Sequence, residues 1–467
     1  MARPGRRRGG VRIAPARPSG RHRRQRYVSV LGALVWFAIS YGVAIGGYLL
    51  LNASASRLLS PALFGYFVVA MTTATVVGQL GLMGVHRAGL REAAKLAEGD
   101  DEGLLLLRRG VRAVLVLALP VASVVSGGVA FVLADEYDTE TRWLIALGMA
   151  LMVMLGGQQK LWANYLRGFG DIRFASLLEG RSGGALVASL QALGLFAVLQ
   201  WWPDAGLGVA LVVVAAGFAL PVLGAARRVT RRWRHVRPRG HVFADFGLVL
   251  RRDWRFATNQ VAAYLNATVE IWIAGLVLSS IDTSLYSSAQ RLALLLSVPL
   301  TSIQVVFAPV CARMLARGEV RTLERLLRTG GTLAAVLTAV AWVPMLVAPG
   351  PLLDVVYGAG FDGAATVLFL LTVGSIANVM SGLCGTALTM SHHEGAVAAV
   401  QVVACVIRIG LGVAAAAIWG LDGLGAAAAI MTVAMYFTMW RLAKTRLGLR
   451  TEPTLRPRLG IVRRTLS

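Results

Sequence analysis

An all-α integral membrane protein of about twelve transmembrane helices, arranged as two six-helix lobes, is predicted by three features of the sequence. Of its 467 residues, 56% are hydrophobic. The apolar residues form about twelve stretches, each near the ~20 residues that a helix needs to cross the hydrocarbon layer of a bilayer. The basic residues are concentrated in every second connection between them. The stretches are Ser29–Asn52, Ala62–Val85, Ala113–Ala134, Trp143–Leu166, Phe174–Leu199, Gly206–Ala226, Ala257–Ser280, Leu285–Val310, Gly330–Ala348, Ala365–Met390, Ala396–Trp419 and Gly425–Trp440.

The distribution of basic residues predicts the topology. Of the 47 Lys and Arg residues, 41 lie in the two tails and in the connections that follow stretches 2, 4, 6 and 8. The opposite connections contain only Arg57 and Arg142. Because positively charged connections stay in the cytoplasm, we expect a multi-pass protein of the bacterial cell membrane with both termini in the cytoplasm. The net charge of +24 is then explained by topology and by attraction to anionic membrane lipids, and we expect no nucleic-acid partner.

The two halves of the chain resemble each other. The string SRLLSPALFGYF is followed 220 residues later by GLVLSSIDTSLYSS, which pairs Leu58, Ser60 and Tyr66 with Leu278, Ser280 and Tyr286. An offset of one six-helix half is typical of transporters whose substrate path lies between two repeated lobes. The predicted division is a disordered Arg-rich cytoplasmic tail (1–27), an N-lobe (28–226), a basic cytoplasmic linker (227–255), a C-lobe (256–441) and a basic cytoplasmic tail (442–467).

The connections contain no sign of an enzyme. They lack a phosphate-binding Gly-rich loop, an HExxH motif and a CxxC motif. The three cysteines, Cys311, Cys384 and Cys405, lie in or at the ends of apolar stretches, where a thiol behaves as a small apolar group. We therefore expect no catalytic activity, no metal site and no cofactor.

Three charged residues are predicted deep inside the membrane, where an ionisable group is a candidate for function. At a rise of about 1.5 Å per residue, Glu270 and Arg408 lie near the middle of stretches 7 and 11, and Arg291 lies well inside stretch 8. One interpretation is a structural ion pair between Glu270 and Arg291. The other is that Arg291 and Arg408 bind an anionic headgroup such as a diphosphate, with Glu270 changing its protonation during the cycle.

Other polar residues in the stretches have two interpretations each. Lys160 and Glu179 are level on consecutive helices, which favours a structural ion pair. Arg181 points to another side of its helix, either toward a substrate cavity or toward the inner headgroups. Asn378 in stretch 10 is either a contact between helices or part of a coupling site.

Three longer strings point to a known family. RLLSPALFGYFVVAMTTATVVGQLGLMGVHRAGLREAAKL, LYSSAQRLALLLSVPLTSIQVVFAPVCARM and DVVYGAGFDGAATVLFLLTVGSIANVMSGLCGTALTMSHHEG resemble segments of polysaccharide flippases in the oligosaccharidyl-lipid branch of the MOP exporter superfamily. The resemblance covers about residues 31–440. It implies alternating access and transfer of an undecaprenyl-diphosphate-linked oligosaccharide to the outer leaflet, with Arg291 of the YSSAQR motif on the cavity wall.

The chain departs from the wider superfamily at two places. Stretch 1 has only Ser40 and Tyr41 in its interior, so it lacks the acid or arginine that some relatives carry there. Glu270 is similar to the helix 7 acid of some sodium-coupled exporters, but stretch 10 has Asn378 where an aspartate is expected. The coupling ion is therefore left open between proton, sodium and none.

Two other functions would require a different pattern of charged residues. An ion-coupled exporter of cationic drugs would favour an acidic cavity, whereas bases outnumber acids among the charged residues within the stretches. A non-transporting membrane scaffold would need no buried charge. We expect a monomer whose partners are the lipid-linked oligosaccharide, anionic lipids and a polysaccharide polymerase or glycosyltransferase.

Overall fold

The structure is a computed structural model that describes residues 39–457 apart from 41, 94–95, 97–99, 179–183, 237, 239, 392 and 455. These residues form helices and short connections, and the described part of the chain contains no β-strand. The predicted tail 1–27 lies outside the described residues.

The first half of the chain contributes six helices. They are α1 (39–58, apart from 41), α2 (Pro61–Gly81), α3 (Asp101–Leu133), α4 (Thr139–Gly168), α5 (Ala185–Trp201) and α6 (Leu207–Arg232). Short helices at Val85–Ala93 and Ile172–Leu178 lie between them. Helix α4 is central, because it packs against α2, α3 and α6.

The second half contributes six more helices, of which two are broken. They are α7 (Val242–Val277), α8 (Ser280–Leu295 and Val298–Ala316), α9 (Val320–Val347), α10 (Ala365–Ser381 and Cys384–Met390), α11 (394–419) and α12 (421–447). A short helix, Pro349–Tyr357, follows α9. Helices α10, α11 and α12 pack together, and α7 lies against the α11–α12 pair.

Helices α11 and α12 form a hairpin that turns at Gly420. Its φ of 60° is non-helical. Arg408 Nη2 donates to Thr432 Oγ1 at 3.2 Å, although these residues would be about 36 Å apart in a straight helix. The chain therefore reverses at Gly420 and crosses the bundle twice.

The bundle has the dimensions and surface of a membrane protein. Seven helices in the described residues are long and apolar enough to cross a membrane, with α11 and α12 taken as one. The shorter apolar spans in α5 and α7, together with α1 and α8, complete the predicted twelve. Many aliphatic side chains on the outside are more than half exposed, including Val124, Leu133, Leu220, Leu276, Val340 and Val406. Such a surface suits lipid rather than water, so the chain is a multi-pass membrane protein.

The helices extend further than the apolar stretches that predicted them. Helix α6 continues to Arg232 and α7 begins at Val242, so that among the described residues of the predicted linker 227–255 only 233–236, 238 and 240–241 are non-helical. Helix α12 likewise continues to Leu447, into the predicted tail. Hydrophobic length marks only the part of a helix inside hydrocarbon, whereas arginine-rich turns continue as helix in water.

The chain after α12 packs against the bundle. Leu449 and Thr451 are buried, and Thr451 Oγ1 donates to the Ser381 carbonyl at 2.7 Å, at the break in α10. Gly382, in that break, has φ 67°, and a Cβ there would lie 1.9 Å from the Thr451 carbonyl oxygen. Glycine is therefore required at this position.

Glu452 fixes the same segment to α12. Burial favours the neutral acid, but it is outweighed by the hydrogen bonds from the Trp440 indole and the backbone together with the charges of Arg328 and Arg450, so the pKa of Glu452 lies below its usual value. The carboxylate is thus ionised at neutral pH and accepts from Trp440 Nε1 at 3.0 Å.

Candidate functional site

The two halves of the chain meet closely at one face of the bundle. We call it the turn face, because it carries the α1–α2 and α7–α8 turns. A Cβ on Gly65 of α2 would lie 2.3 Å from the carbonyl oxygen of Ser280 in α8. Ser56 Oγ in α1 donates to the Tyr357 carbonyl at 2.7 Å. The seam between the halves is therefore closed at the turn face.

Arg291 is a buried cation at this seam. It lies about three turns into α8, is 4% exposed, and places its guanidinium 5.5 Å from the Tyr48 ring and 6.0 Å from the Phe64 ring. Among the described residues it makes no ion pair, and its Nη1 atom has no hydrogen-bond partner. Contacts with aromatic rings only partly offset the cost of removing a charge from water. The site therefore favours an anion.

An aromatic cluster covers Arg291 on the side of the turn face. The Phe64 ring lies 6.1 Å from the Tyr357 ring and 5.8 Å from the Phe361 ring. Phe64 is about one turn into α2, so the cluster lies nearer the turn face than Arg291 does. Any anion that reaches Arg291 in this state must therefore enter away from the turn face.

A second site is a partly open cavity of about 260 Å³ in the second half, lined by residues of α7, α8, α10, α11 and α12. Its polar lining consists mainly of amide and hydroxyl groups. They include Asn266, Tyr286, Gln290, Asn378, Gln401 and Thr432. Glu270 and Arg408 contribute the two charges among the lining residues. Asn378, predicted as a coupling residue, therefore lies at this cavity.

Glu270 and Arg408 form a buried ion pair. Arg408 Nη1 lies 2.5 Å from Glu270 Oε1, and the two side chains are 8% and 3% exposed. Arg408 also donates to the Asn266 carbonyl at 3.4 Å and to Thr432 at 3.2 Å. The interpretation that Glu270 pairs with Arg291 is therefore wrong. The pairing depends on helix rotation in the packed bundle: Arg291 is turned toward α1 and α2, and Arg408 toward α7.

The remaining predicted residues lie in the first half. Lys160 is partly buried on α4. Glu179 and Arg181 lie outside the described residues, so the predicted Lys160–Glu179 pair and the role of Arg181 stay predictions.

Sequence reasoning missed several residues at the cavity. Tyr286 and Gln290 lie one turn apart on α8, and Gln401 lies two turns before Arg408 on α11. This helical spacing was the available signal. In the YSSAQR motif the charge singles out Arg291, whereas the tyrosine and glutamine of the motif also line a polar cavity.

A buried aspartate joins α3 to the start of α7. Asp245 is 1% exposed and accepts from Arg109 Nε at 2.5 Å and Arg112 Nε at 2.8 Å. Arg112 also donates to the carbonyls of Pro238 and Gly240 in the linker. These bonds hold the connection between the halves against α3.

Replacing Asp245 by asparagine is expected to destabilise the protein by about 1–3 kcal/mol, because the amide leaves both arginines without a carboxylate. The measurements are thermal unfolding in detergent and the rate at which protease cuts 233–241. Asp171→Asn is the matched control, since its ion pair with Arg228 is more exposed and is expected to contribute under about 1 kcal/mol. Equal shifts in both variants would contradict the role of Asp245.

The sequence and the fold each match known proteins. Residues 32–315 match the family described as polysaccharide biosynthesis protein. The chain belongs to this family. The predicted resemblance is thereby confirmed, and a search of curated proteins found no match.

Several solved structures have a fold similar to that of this member of the polysaccharide biosynthesis protein family. An inward-facing multidrug resistance MATE family transporter of the MOP superfamily is 17% identical, with a TM-score of 0.63 over 87% of this chain and 94% of that one. An outward-facing transporter described in the same terms is 14% identical, with a TM-score of 0.53 over 89% and 95%. A MOP superfamily transporter from Pyrococcus furiosus, whose binding pocket is described as reversed in polarity, is 16% identical, with a TM-score of 0.56 over 89% and 95%. The predicted MOP/MATE-like fold is confirmed.

Proposed function

We propose that this protein flips an undecaprenyl-diphosphate-linked oligosaccharide from the inner to the outer leaflet of a bacterial cell membrane, for polysaccharide export. The observation that carries the proposal is Arg291, a buried guanidinium without a carboxylate partner among the described residues, at the seam between the halves. A guanidinium donates two parallel hydrogen bonds to phosphate oxygens. Membership of the polysaccharide biosynthesis family supports a sugar-bearing substrate.

Alternating access of two lobes, 28–226 and 256–441, is the proposed mechanism. We assign the arginine-rich face, opposite the turn face, to the cytoplasm because of its charge, and we propose that both termini lie on that side. Closure of the seam by Gly65 and the aromatic cluster then corresponds to a state that is closed to the outside. Opening of the same contacts would release the substrate outside.

The diphosphate is assigned to Arg291 rather than to Arg408. Arg408 already donates to Glu270, so phosphate binding there would require a buried pair to separate, which is costly in a low-dielectric interior. The same pair disfavours the drug exporter of our alternatives, because the cavity carboxylate that would attract a cation is neutralised.

The proposed partners follow from the surface. Arginines of the linker and the ends of the helices are placed to contact anionic lipids. A polysaccharide polymerase or glycosyltransferase would receive or supply the substrate. The transporter itself is proposed to act as a monomer.

The proposal is tested by reconstituting the protein in vesicles. A fluorescent undecaprenyl-diphosphate oligosaccharide in the leaflet that meets the arginine-rich face should reach the other leaflet faster than in protein-free vesicles, as measured by quenching from outside. Ethidium uptake, measured in parallel, should stay at the protein-free rate. Ethidium transport without lipid transport would instead support the drug exporter, and transport of neither would support the scaffold.

A further inference from the structure

We infer that the cavity in the second half is a sugar subsite, which binds one sugar ring of the lipid-linked substrate while Arg291 binds the diphosphate. The inference rests on the proposed function and adds a second site to it. Five helices, α7, α8, α10, α11 and α12, line this partly open cavity.

The chemistry of the lining suits a neutral, hydroxyl-bearing group. Four side-chain amides, Asn266, Gln290, Asn378 and Gln401, each offer both a donor and an acceptor. A sugar hydroxyl also donates and accepts, so it can bond to either end of an amide. Apolar residues such as Leu294 and Leu371 alternate with the amides and can contact the C–H faces of a sugar ring.

The charges of the lining exclude an ionic ligand. Glu270 and Arg408 cancel each other at 2.5 Å, so the cavity has no net formal charge among the lining residues. A metal cation would have to compete with the guanidinium for the carboxylate. A phosphate would have to compete with the carboxylate for the guanidinium.

Three buried polar atoms of residues that line the cavity lack hydrogen-bond partners in the described part of the chain. Asn266 Oδ1 is an acceptor, Arg408 Nε is a donor, and the Tyr286 hydroxyl is both, and none of these atoms has a hydrogen-bond partner among the described residues. Tyr286 is fully buried and Arg408 is 7% exposed. Unpaired groups in a protein interior are costly, but the exposed area of each of these atoms is below 1 Å², so a ligand in the cavity reaches them only after the lining side chains move.

Size and position agree with a single ring next to a diphosphate. The volume of about 260 Å³ is just below the ~300–1,000 Å³ of pockets for drug-sized ligands. Gln290 lines the cavity and Arg291 follows it, about 100° further round α8. The two sites thus lie on neighbouring faces of one helix.

The test compares two lipid probes bound to the full chain in nanodiscs: undecaprenyl diphosphate, and the same lipid carrying one glucose, galactose or N-acetylglucosamine. We expect the wild type to bind at least one sugar-bearing probe more tightly than the bare lipid. Gln401→Leu and Asn378→Leu should each reduce that preference about tenfold while leaving affinity for the bare lipid unchanged. Arg291→Gln should weaken both probes. Gln200→Leu, at the exposed end of α5, is the matched amide control.

The outcomes separate the two proposals. Binding of neither probe by the wild type would overturn the proposed function together with the subsite. Equal binding of bare and sugar-bearing lipid, or an unchanged preference in a folded cavity variant, would overturn the subsite alone. Equal weakening of both probes by Gln401→Leu and by Asn378→Leu would likewise show a structural role, and thermal unfolding of each variant identifies any that fail to fold.

Discussion

Replacing Arg291 by alanine is expected to abolish translocation of the lipid-linked oligosaccharide while the protein stays folded. Two charge-assisted hydrogen bonds to a diphosphate contribute about 1.5–3 kcal/mol each, so their loss should slow flipping about a hundredfold or more. Arg291→Lys keeps the charge but loses the planar fork, and an intermediate rate is expected. The measurement is the initial rate of leaflet exchange in vesicles, at matched protein density.

The melting temperature of Arg291→Ala should change little even though its flipping activity is lost. Arg291 is buried without a carboxylate partner in the described residues. Removing it therefore removes a desolvation cost, which offsets the cavity that alanine leaves, and Arg291→Ala is expected to melt close to the temperature of the wild type. A buried cation that carries such a desolvation cost is more easily explained by an anionic ligand than by packing.

Arg142→Ala is the matched control for Arg291→Ala. Arg142 also lies over an aromatic ring, with its guanidinium 4.3 Å from the Phe131 ring, but it is at the end of α4 away from the seam. Its loss should leave flipping unchanged. A fall in flipping that tracks a lower melting temperature of Arg291→Ala would show that Arg291 only supports the fold.

Much of the fold follows from the sequence because the bilayer fixes the length of a spanning helix. Each of the twelve predicted stretches has a counterpart in the structure. The register of the alignment between the two halves was one residue off. Ser60 caps α2 and Ser279 caps α8, whereas the aligned identities pair Ser60 with Ser280. Caps depend on local backbone geometry, which three identities cannot place to the residue.

The site was only partly predictable, because depth can be read from the sequence but rotation cannot. Depth identified Glu270, Arg291 and Arg408 as buried. Which of the two arginines meets Glu270 depends on how α7, α8 and α11 turn toward one another, and that is set by packing across the whole bundle. The amides of the cavity are uncharged. The energetic cost of burying a charge in the membrane therefore did not identify them as candidates for function.

Replacing Arg408 by alanine is expected to have the largest effect on stability. It would leave the Glu270 carboxylate buried and unpaired, and breaking such a pair from one side costs about 3–5 kcal/mol. We expect a strongly lowered melting temperature in detergent and less folded protein in the membrane. Glu270→Gln leaves Arg408 unpaired and should also destabilise.

The double variant, Glu270→Gln with Arg408→Gln, distinguishes a structural pair from a coupling or headgroup site. If the two residues only hold α7 to α11, two neutral amides can bond to each other, and the double variant should recover much of the stability that each single variant loses. Flipping should recover with it. Recovered stability without flipping would instead assign the pair to the transport cycle, because the fold would then be intact while the charges needed for turnover are gone.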